Sequence, residues 1–269
     1  MRILFVGGGN MATALIGGLL QQGFKPGDLR VVDISDEARQ RLQQQFGVRA
    51  TPAFDGEIAE DVVLLAVKPQ QMPAVATDLS AHLRGQLVIS IAAGIRTGDL
   101  ARWLSGHDRI VRVMPNTPAL IRSGMSGLFA AAAVKQADRD SAQRILGAVG
   151  GVVWVQREPD IDAVTAISGS GPAYVFYFIE ALEQAGIELG LDVGQAHELA
   201  VQTFVGAANL AAGSNEPAAV LRARVTSKAG TTEAALKTME ANDIKHKIVE
   251  AVRAAARRSR ELGDEFGKD

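Results

Sequence analysis

Two residue groups, near opposite ends of the chain, have the types and spacing for chemistry. Gly7-Gly8-Gly9-Asn10-Met11-Ala12 follows the apolar run Ile3-Leu4-Phe5-Val6. A pyrophosphate site needs such a tight glycine turn between a buried strand and a helix. Gly7 can make the turn and Gly9 leaves backbone open to phosphate. Ala12, in the slot of the third glycine, lets helix and strand pack closely. The free N–H groups of Asn10, Met11 and Ala12 and the helix dipole would then face the anion. The second group is Val225-Thr226-Ser227-Lys228-Ala229-Gly230-Thr231-Thr232. Gly230 permits an unusual backbone, and Thr231 or Thr232 can cap the following helix, whose N–H groups would hold a carboxylate. The plainer reading is an ordinary capped helix. Together the groups suggest a cofactor site in one domain and a substrate site in another.

Several segments between them fit a dinucleotide site. Asp33 ends the strand 29–32, 21 residues after Ala12, near the spacing of an acid that binds the ribose 2′-hydroxyl. Capping of the next helix together with Ser35 is the alternative. Val67, Lys68 and Pro69 close another strand, and Ala92, Ala93 and Gly94 close the next. In a doubly wound sheet ligands sit beyond such strand ends, and small residues there let a flat ring lie on backbone. Lys68 reads as a cofactor contact, with a solvated surface lysine as the alternative. Asn116 lies between two prolines in Met114-Pro115-Asn116-Thr117-Pro118, a stiff polar wall for a nicotinamide pocket or a structural turn. Ser168-Gly169-Ser170-Gly171-Pro172-Ala173-Tyr174 places costly glycines in a helical pattern. Either another group approaches closely there or the helix kinks.

Elements able to position these groups are legible. Short Val/Ile/Leu-rich runs at 3–6, 29–32, 62–67, 87–92, 110–114, 127–130 and 152–156 read as strands of a sheet covered on both faces. Helical patterns at 11–20, 36–46, 70–83, 97–104 and 138–149 alternate with them, which predicts an α/β, doubly wound, mainly parallel sheet. After Gln156 the strands stop. The charged junction Arg157-Glu158-Pro159-Asp160 divides the chain into a 1–158 NAD(P)-binding domain and a 159–269 helical domain. Helices are expected at 161–189, 193–212, 216–223, 232–240 and 245–262. Small-residue runs at 206–208 and 211–213 suit tight helix packing, within one subunit or between two.

Composition narrows the class. The 269 residues are 47% hydrophobic but only 5% aromatic, so the core must be built from Ala, Val, Leu and Ile. With 28 basic and 30 acidic residues, the charge suggests neither nucleic acid nor an anionic membrane as partner. The absence of cysteine excludes disulfides and thiolate chemistry. Four scattered histidines lack metal-ligand spacing, so no metal is expected. The uncharged stretch 3–24 is interrupted by glycines too early for a signal sequence, which favours a cytoplasmic protein.

Gly-x-Gly-Asn-Met-Ala at 7–12, Ala-Val-Lys-Pro at 66–69, Ala-Ala-Gly at 92–94, Met-Pro-Asn-Thr-Pro at 114–118, Ser-Gly-Ser-Gly-Pro-Ala-Tyr at 168–174 and the 226–232 loop occur in this order. In that order they resemble the bacterial pyrroline-5-carboxylate reductases over essentially the whole chain. The resemblance implies reduction of L-1-pyrroline-5-carboxylate to L-proline by NADH or NADPH, the last step of proline synthesis. It also implies a Rossmann domain, a helical domain interlocked in a homodimer, and in some members dimers assembled into a decamer. The active site would lie between the cofactor domain and the dimer domain, the partner contributing. Carried over, the backbone N–H groups of Gly230, Thr231 and Thr232 bind the substrate carboxylate, Ser227 joins the substrate site, and Thr232 stands beside the ring nitrogen as the catalytic residue. Two departures stand out. Many members carry Asn-Arg or a similar pair after the second strand, suited to a 2′-phosphate, where this chain has Asp33-Ile34-Ser35. Lys228-Ala229 replaces the frequent Pro-Gly.

Rival readings fail on specific residues. Dehydrogenases of 3-hydroxy acids use a lysine early in the second domain, and no lysine occurs between Lys135 and Lys228. Short-chain dehydrogenases need Tyr-x-x-x-Lys, but Phe178 and Ala181 follow Tyr174 and Tyr177 at that spacing. A nucleotide-sensing regulator would explain the cradle and leave the 226–232 loop without a purpose.

Overall fold

Every residue of β1 (Ile3–Val6) is buried, and alternate residues serve opposite faces of a sheet. Ile3 and Phe5 join one apolar cluster with Leu15, Ile16, Leu64 and Ile145; Leu4 and Val6 join another with Val63, Leu65, Met72 and Leu79. This is the two-faced burial expected when helices cover both sides of parallel strands. The computed structural model describes residues 1–268.

The sheet has eight strands. β2 (Leu29–Val32), β3 (Arg49–Thr51), β4 (Val62–Leu65), β5 (Leu87–Ser90), β6 (Ile110–Met114), β7 (Gly124–Ala130) and β8 (Gly150–Trp154) join β1 in the order β3-β2-β1-β4-β5-β6-β7-β8. Ile3 pairs with Leu29 on one side and Val62 on the other, so the strand order reverses at β1. A crevice opens at such a reversal, beyond the C-terminal strand ends. Pairing is parallel except between β6 and β7. The helices α1 (Asn10–Gln21), α2 (Asp36–Phe46), α3 (Met72–Ser80), α4 (Thr97–Trp103) and α5 (Gln136–Gly147) complete this part.

The structure differs from the sequence reading at several elements. β3 was not anticipated: it is three residues long and begins at an exposed arginine. β7 starts three residues earlier than expected because its ladder with β8 begins at the pair Gly124–Gly150, where both residues must be glycine. A Cβ at Gly150 would lie 2.0 Å from the Gly124 carbonyl oxygen, and one at Gly124 would lie 2.9 Å from Ala119. Residues 161–189 do not form one helix. α6 (Asp160–Val164) runs into a π-type turn at Thr165–Gly169, where the Ser170 N–H reaches the Thr165 carbonyl at 2.8 Å. α7 (Gly171–Glu188) follows. The turn seats Gly169 against the end of β6, where a Cβ would fall 2.6 Å from Met114 Cε.

The remaining helices are α8 (Val193–Ala212), α9 (Ala218–Arg224), α10 (Thr231–Ala241) and α11 (Ile244–Phe266). Two compact units result. Met1–Ser170 forms one, together with the chain from Ala255; Gly171–Ala254 forms the other. In the second unit α7 lies close on α8, a Cβ at Gly186 falling 2.9 Å from that of Ala196. Apart from Ala196 and Ala200, almost nothing there is fully buried, while Phe176, Tyr177, Leu199, Leu210 and Met239 are exposed. The small residues of 206–208 and 211–213 are exposed too, and nothing approaches within 4 Å of a Cβ built at Gly206. A unit so poor in core of its own needs a further surface to cover it. Among the described residues no helix is long and apolar enough to cross a membrane.

Charged groups inside the first unit are paired. Asp138, nearly buried, accepts from Arg109 at 2.9 and 2.5 Å and from the Lys135 N–H at 3.0 Å. The guanidinium holds its carboxyl below the usual carboxylate range. Arg112, also buried, reaches Glu158 at 3.2 Å and Asp162 at 4.0 Å.

Candidate functional site

The crevice at β1 holds a cavity of about 520 Å³, lined among others by Gly7, Gly9, Asp33, Phe54, Val67 and Lys68. Gly7 has φ +100°, which favours glycine, and a Cβ there would sit 2.7 Å from the Ala66 carbonyl oxygen. Gly9 faces open space, with nothing within 4 Å of a Cβ position. It precedes α1 without any side-chain cap, so the N–H groups of Asn10, Met11 and Ala12 remain at the helix start for an anion. Ala12 is fully buried beneath them. An open glycine beside uncapped N–H groups and an apolar cleft fit a dinucleotide.

Asp33 does not cap α2. Ser35 does, its Oγ accepting from the Ala38 N–H at 3.2 Å. The Asp33 carboxylate instead spans two backbones, accepting from the Gly8 N–H at 2.6 Å and the Ser35 N–H at 2.7 Å. It thereby ties the end of β2 to the glycine turn. The cations nearby are engaged. Arg39 bonds the Asp33 carbonyl at 2.8 Å and Asp36 at 2.9 Å, and Arg41 bonds the Gly8 carbonyl at 2.8 Å. Arg30 is buried against Glu60 and Asp55.

Lys68 is exposed after β4 and opens a short turn at Pro69–Gln71; Val67 and Lys68 line the cavity. Ala92 and Gly94 are buried and Ala93 is exposed, just past β5. Gly94 adopts φ +75°. Asn116 is a brace: its Nδ2 donates to the Ser168 carbonyl at 3.0 Å, and its Oδ1 accepts from the Met125 N–H at 2.8 Å. It fastens the 115–118 loop to β7 and to the π-type turn.

In the second unit the 226–232 loop departs from the sequence reading in two ways. The left-handed residue is Ala229, φ +59°, while Gly230 is extended at φ −88°. Gly230 is needed for space instead, since a Cβ there would fall 2.4 Å from Ser227 Oγ. Neither threonine caps α10, because Gly230 occupies the cap position and Thr231 and Thr232 are its first helical residues. That leaves their N–H groups without a helical acceptor, which suits a carboxylate better than a capped helix would. Thr231 is exposed and Thr232 half-buried. Glu233 reaches back to the Ala229 N–H at 2.6 Å and holds the loop shut.

By sequence Glu158 belongs only to the charged junction 157–160, and nothing local marks its partners. Its carboxylate reaches Thr97 and Arg112, and Asp162 nearby accepts from Ser259 Oγ at 2.7 Å. No local pattern marks such a cluster; only the buried arginine in β6 hinted at a carboxylate partner.

Known proteins resemble the chain over its whole length. The family model for pyrroline-5-carboxylate reductase dimerisation matches residues 158–262, and that for NADP oxidoreductase, coenzyme F420-dependent, matches residues 2–94. The pyrroline-5-carboxylate reductase of Pseudomonas aeruginosa is 46% identical, over 99% of this chain and 98% of its own. That of Haemophilus influenzae is 44% identical over 97% of each. A pyrroline-5-carboxylate reductase structure from Coxiella burnetii superposes with a TM-score of 0.92 at 40% identity, covering 97% of this chain and 98% of the other. The Plasmodium falciparum pyrroline carboxylate reductase with NADP bound gives 0.85 at 29% identity, covering 98% of each. With the cradle, the uncapped 230–232 helix start and this likeness from end to end, the chain belongs to the pyrroline-5-carboxylate reductase family.

Proposed function

We propose that this chain reduces L-1-pyrroline-5-carboxylate to L-proline with NADH or NADPH, in the cytoplasm, as the closing step of proline synthesis. The observation that carries the reading is family membership across the full chain, cradle and carboxylate loop included. Gly7, Gly9, Asn10, Met11 and Ala12 hold the pyrophosphate, and Asp33 the adenosine ribose. Val67, Lys68, Pro69, Ala92, Ala93 and Gly94 border the nicotinamide side, and Asn116 fixes its wall. When bound, the reduced nicotinamide would supply the hydride for the imine carbon.

Ser227, Gly230, Thr231 and Thr232 orient the substrate by its carboxylate. Thr232 also directs its hydroxyl at the ring nitrogen. Orientation and exclusion of water supply much of the rate for such a transfer, so a strong general acid is dispensable once the iminium form binds. Residues 1–158 serve as the cofactor domain. Residues 159–269 bind substrate and pair with a second copy, and the exposed apolar side chains of Gly171–Ala254 supply surface for that pairing. Five dimers complete a decamer.

The test follows two reactions of the purified chain optically: NAD(P)H oxidation with pyrroline-5-carboxylate, and NAD(P)+ reduction with a 3-hydroxy acid. Oxidation with the imine alone is expected. Turnover of the hydroxy acid and none of the imine would overturn the activity. Light scattering at assay concentration should give a decamer mass; a stable dimer removes the decamer, and an active monomer removes the pairing.

A further inference from the structure

The loop at 92–96 is built of Ala, Ala and Gly on the side proposed to face the nicotinamide. Residues that small leave the ligand side bare, so the loop cannot fix its own shape from the front. It is held from behind, by α11. Phe266 lies on the loop backbone: a Cβ at Gly94 would fall 2.9 Å from Phe266 Cδ2 and 3.4 Å from Leu262 Cβ. Arg96 turns its guanidinium to the same helix end. Its Nη2 donates to Asp264 Oδ1 at 2.7 Å and to the Arg260 carbonyl at 3.2 Å. The guanidinium lies along Gly263, where a Cβ would meet it at 2.9 Å. Phe266 also packs on the apolar cluster that contains Ala92, Ile95 and Leu100. Ser259 anchors the helix a turn earlier, through its buried bond to Asp162. On its other flank the loop adjoins β4, the Ile91 N–H bonding the Leu65 carbonyl at 3.1 Å. That strand runs on into the cavity-lining Ala66, Val67 and Lys68.

We propose that the last two turns of α11 form a latch that sets the shape of the 92–96 loop, with Phe266 and Asp264 as positioning residues for the nicotinamide half of the cofactor. The inference rests on the assignment of Ala92, Ala93 and Gly94 above. It says that a helix end remote from the glycine cradle tunes one half of the dinucleotide and spares the other.

ADP-ribose separates the halves, since it carries the adenosine and both phosphates but no nicotinamide. Dissociation constants of NADH and ADP-ribose are measured by titration of the full chain, with thermal melts alongside, for Phe266→Ala, Asp264→Asn and their combination. The combined variant should weaken NADH about tenfold, the scale of a slightly misplaced contact, and leave ADP-ribose unchanged. Phe266→Leu should recover most of the loss. Glu265→Gln, on the same turn but paired with Arg258 at the surface, should change neither ligand. Unchanged NADH affinity, or equal loss of both ligands, overturns the latch. Asp264→Asn alters an exposed side chain, so it keeps the test readable if Phe266→Ala misfolds. A wild-type chain that binds NADH but reduces no imine defeats the activity proposed above and leaves this binding ratio to decide the latch.

Discussion

The Glu158 carboxylate caps α4 from 61 residues away, taking the Thr97 N–H at 2.7 Å and the Thr97 hydroxyl at 2.8 Å. Arg96, at the cap position itself, supplies no side-chain cap. The same carboxylate faces the buried guanidinium of Arg112. One side chain therefore closes a helix start and balances a charge in β6. Glu158→Ala should lower stability by roughly 2–3 kcal/mol, between the cost of a lost cap and that of an orphaned buried charge. Glu158→Gln, which can still accept from Thr97, should lose less. Urea unfolding of both variants checks the order.

Acid should destabilise the fold in two stages. Burial pushes the His107 imidazole below its ordinary value of 6.5. The unfolded chain then takes a proton there before the folded one does, so stability falls as pH drops below about 6.5. His107→Gln should flatten that first slope. The Asp138 carboxyl is held low by Arg109, so its contribution is complete above the ordinary carboxylate range and is lost as pH falls through the lowered folded value. Asp138→Asn should cost roughly 2 kcal/mol at neutral pH and remove part of the second slope. Melting temperature against pH reads both.

Ala229 bears a left-handed φ of +59° in the 226–232 loop. A Cβ is strained there, and glycine is not. Ala229→Gly should raise stability by about 0.5–1 kcal/mol, and calorimetry would detect a fall instead if the loop's rigidity outweighs the strain.

If Asp33 holds the adenosine ribose as proposed, cofactor choice turns on it. The 2′-phosphate of NADPH would meet its carboxylate at close range, and Arg30, Arg39 and Arg41 already have partners. A repulsion of about 1–2 kcal/mol corresponds to roughly tenfold in relative affinity. NADH should therefore serve at least as well as NADPH. Asp33→Asn should raise kcat/KM for NADPH relative to NADH while weakening both, because the amide nitrogen cannot accept from Gly8 or Ser35. A strong wild-type preference for NADPH, unmoved by the substitution, removes Asp33 from the ribose.

Local pattern made much of this legible. β1, β2, β6, α2 and α8 begin and end where hydrophobic spacing and capping residues put them. Their signals are contained within each segment: an apolar run, or Ser35 before α2. What stayed hidden depends on distant partners. The two extra roles of Asp33 need Gly8 and Ser35 at known distances. The brace that Asn116 makes needs Ser168 and Met125, 52 and 9 residues away, within reach. Gly230 reads as a residue for an unusual backbone until the nearby Ser227 oxygen shows that it is a matter of room.

The return of the chain at Ala255 to the unit it left at Ser170 has a consequence for biosynthesis. That unit cannot finish folding in the order in which it is made. While residues 171–254 emerge from the ribosome, Ile95 and Leu100 wait without Phe266, and Asp162 without Ser259. Contacts of such long sequence separation form late, and the apolar surface awaiting them is open to aggregation meanwhile. A fragment cut after the last strand would carry that opening permanently.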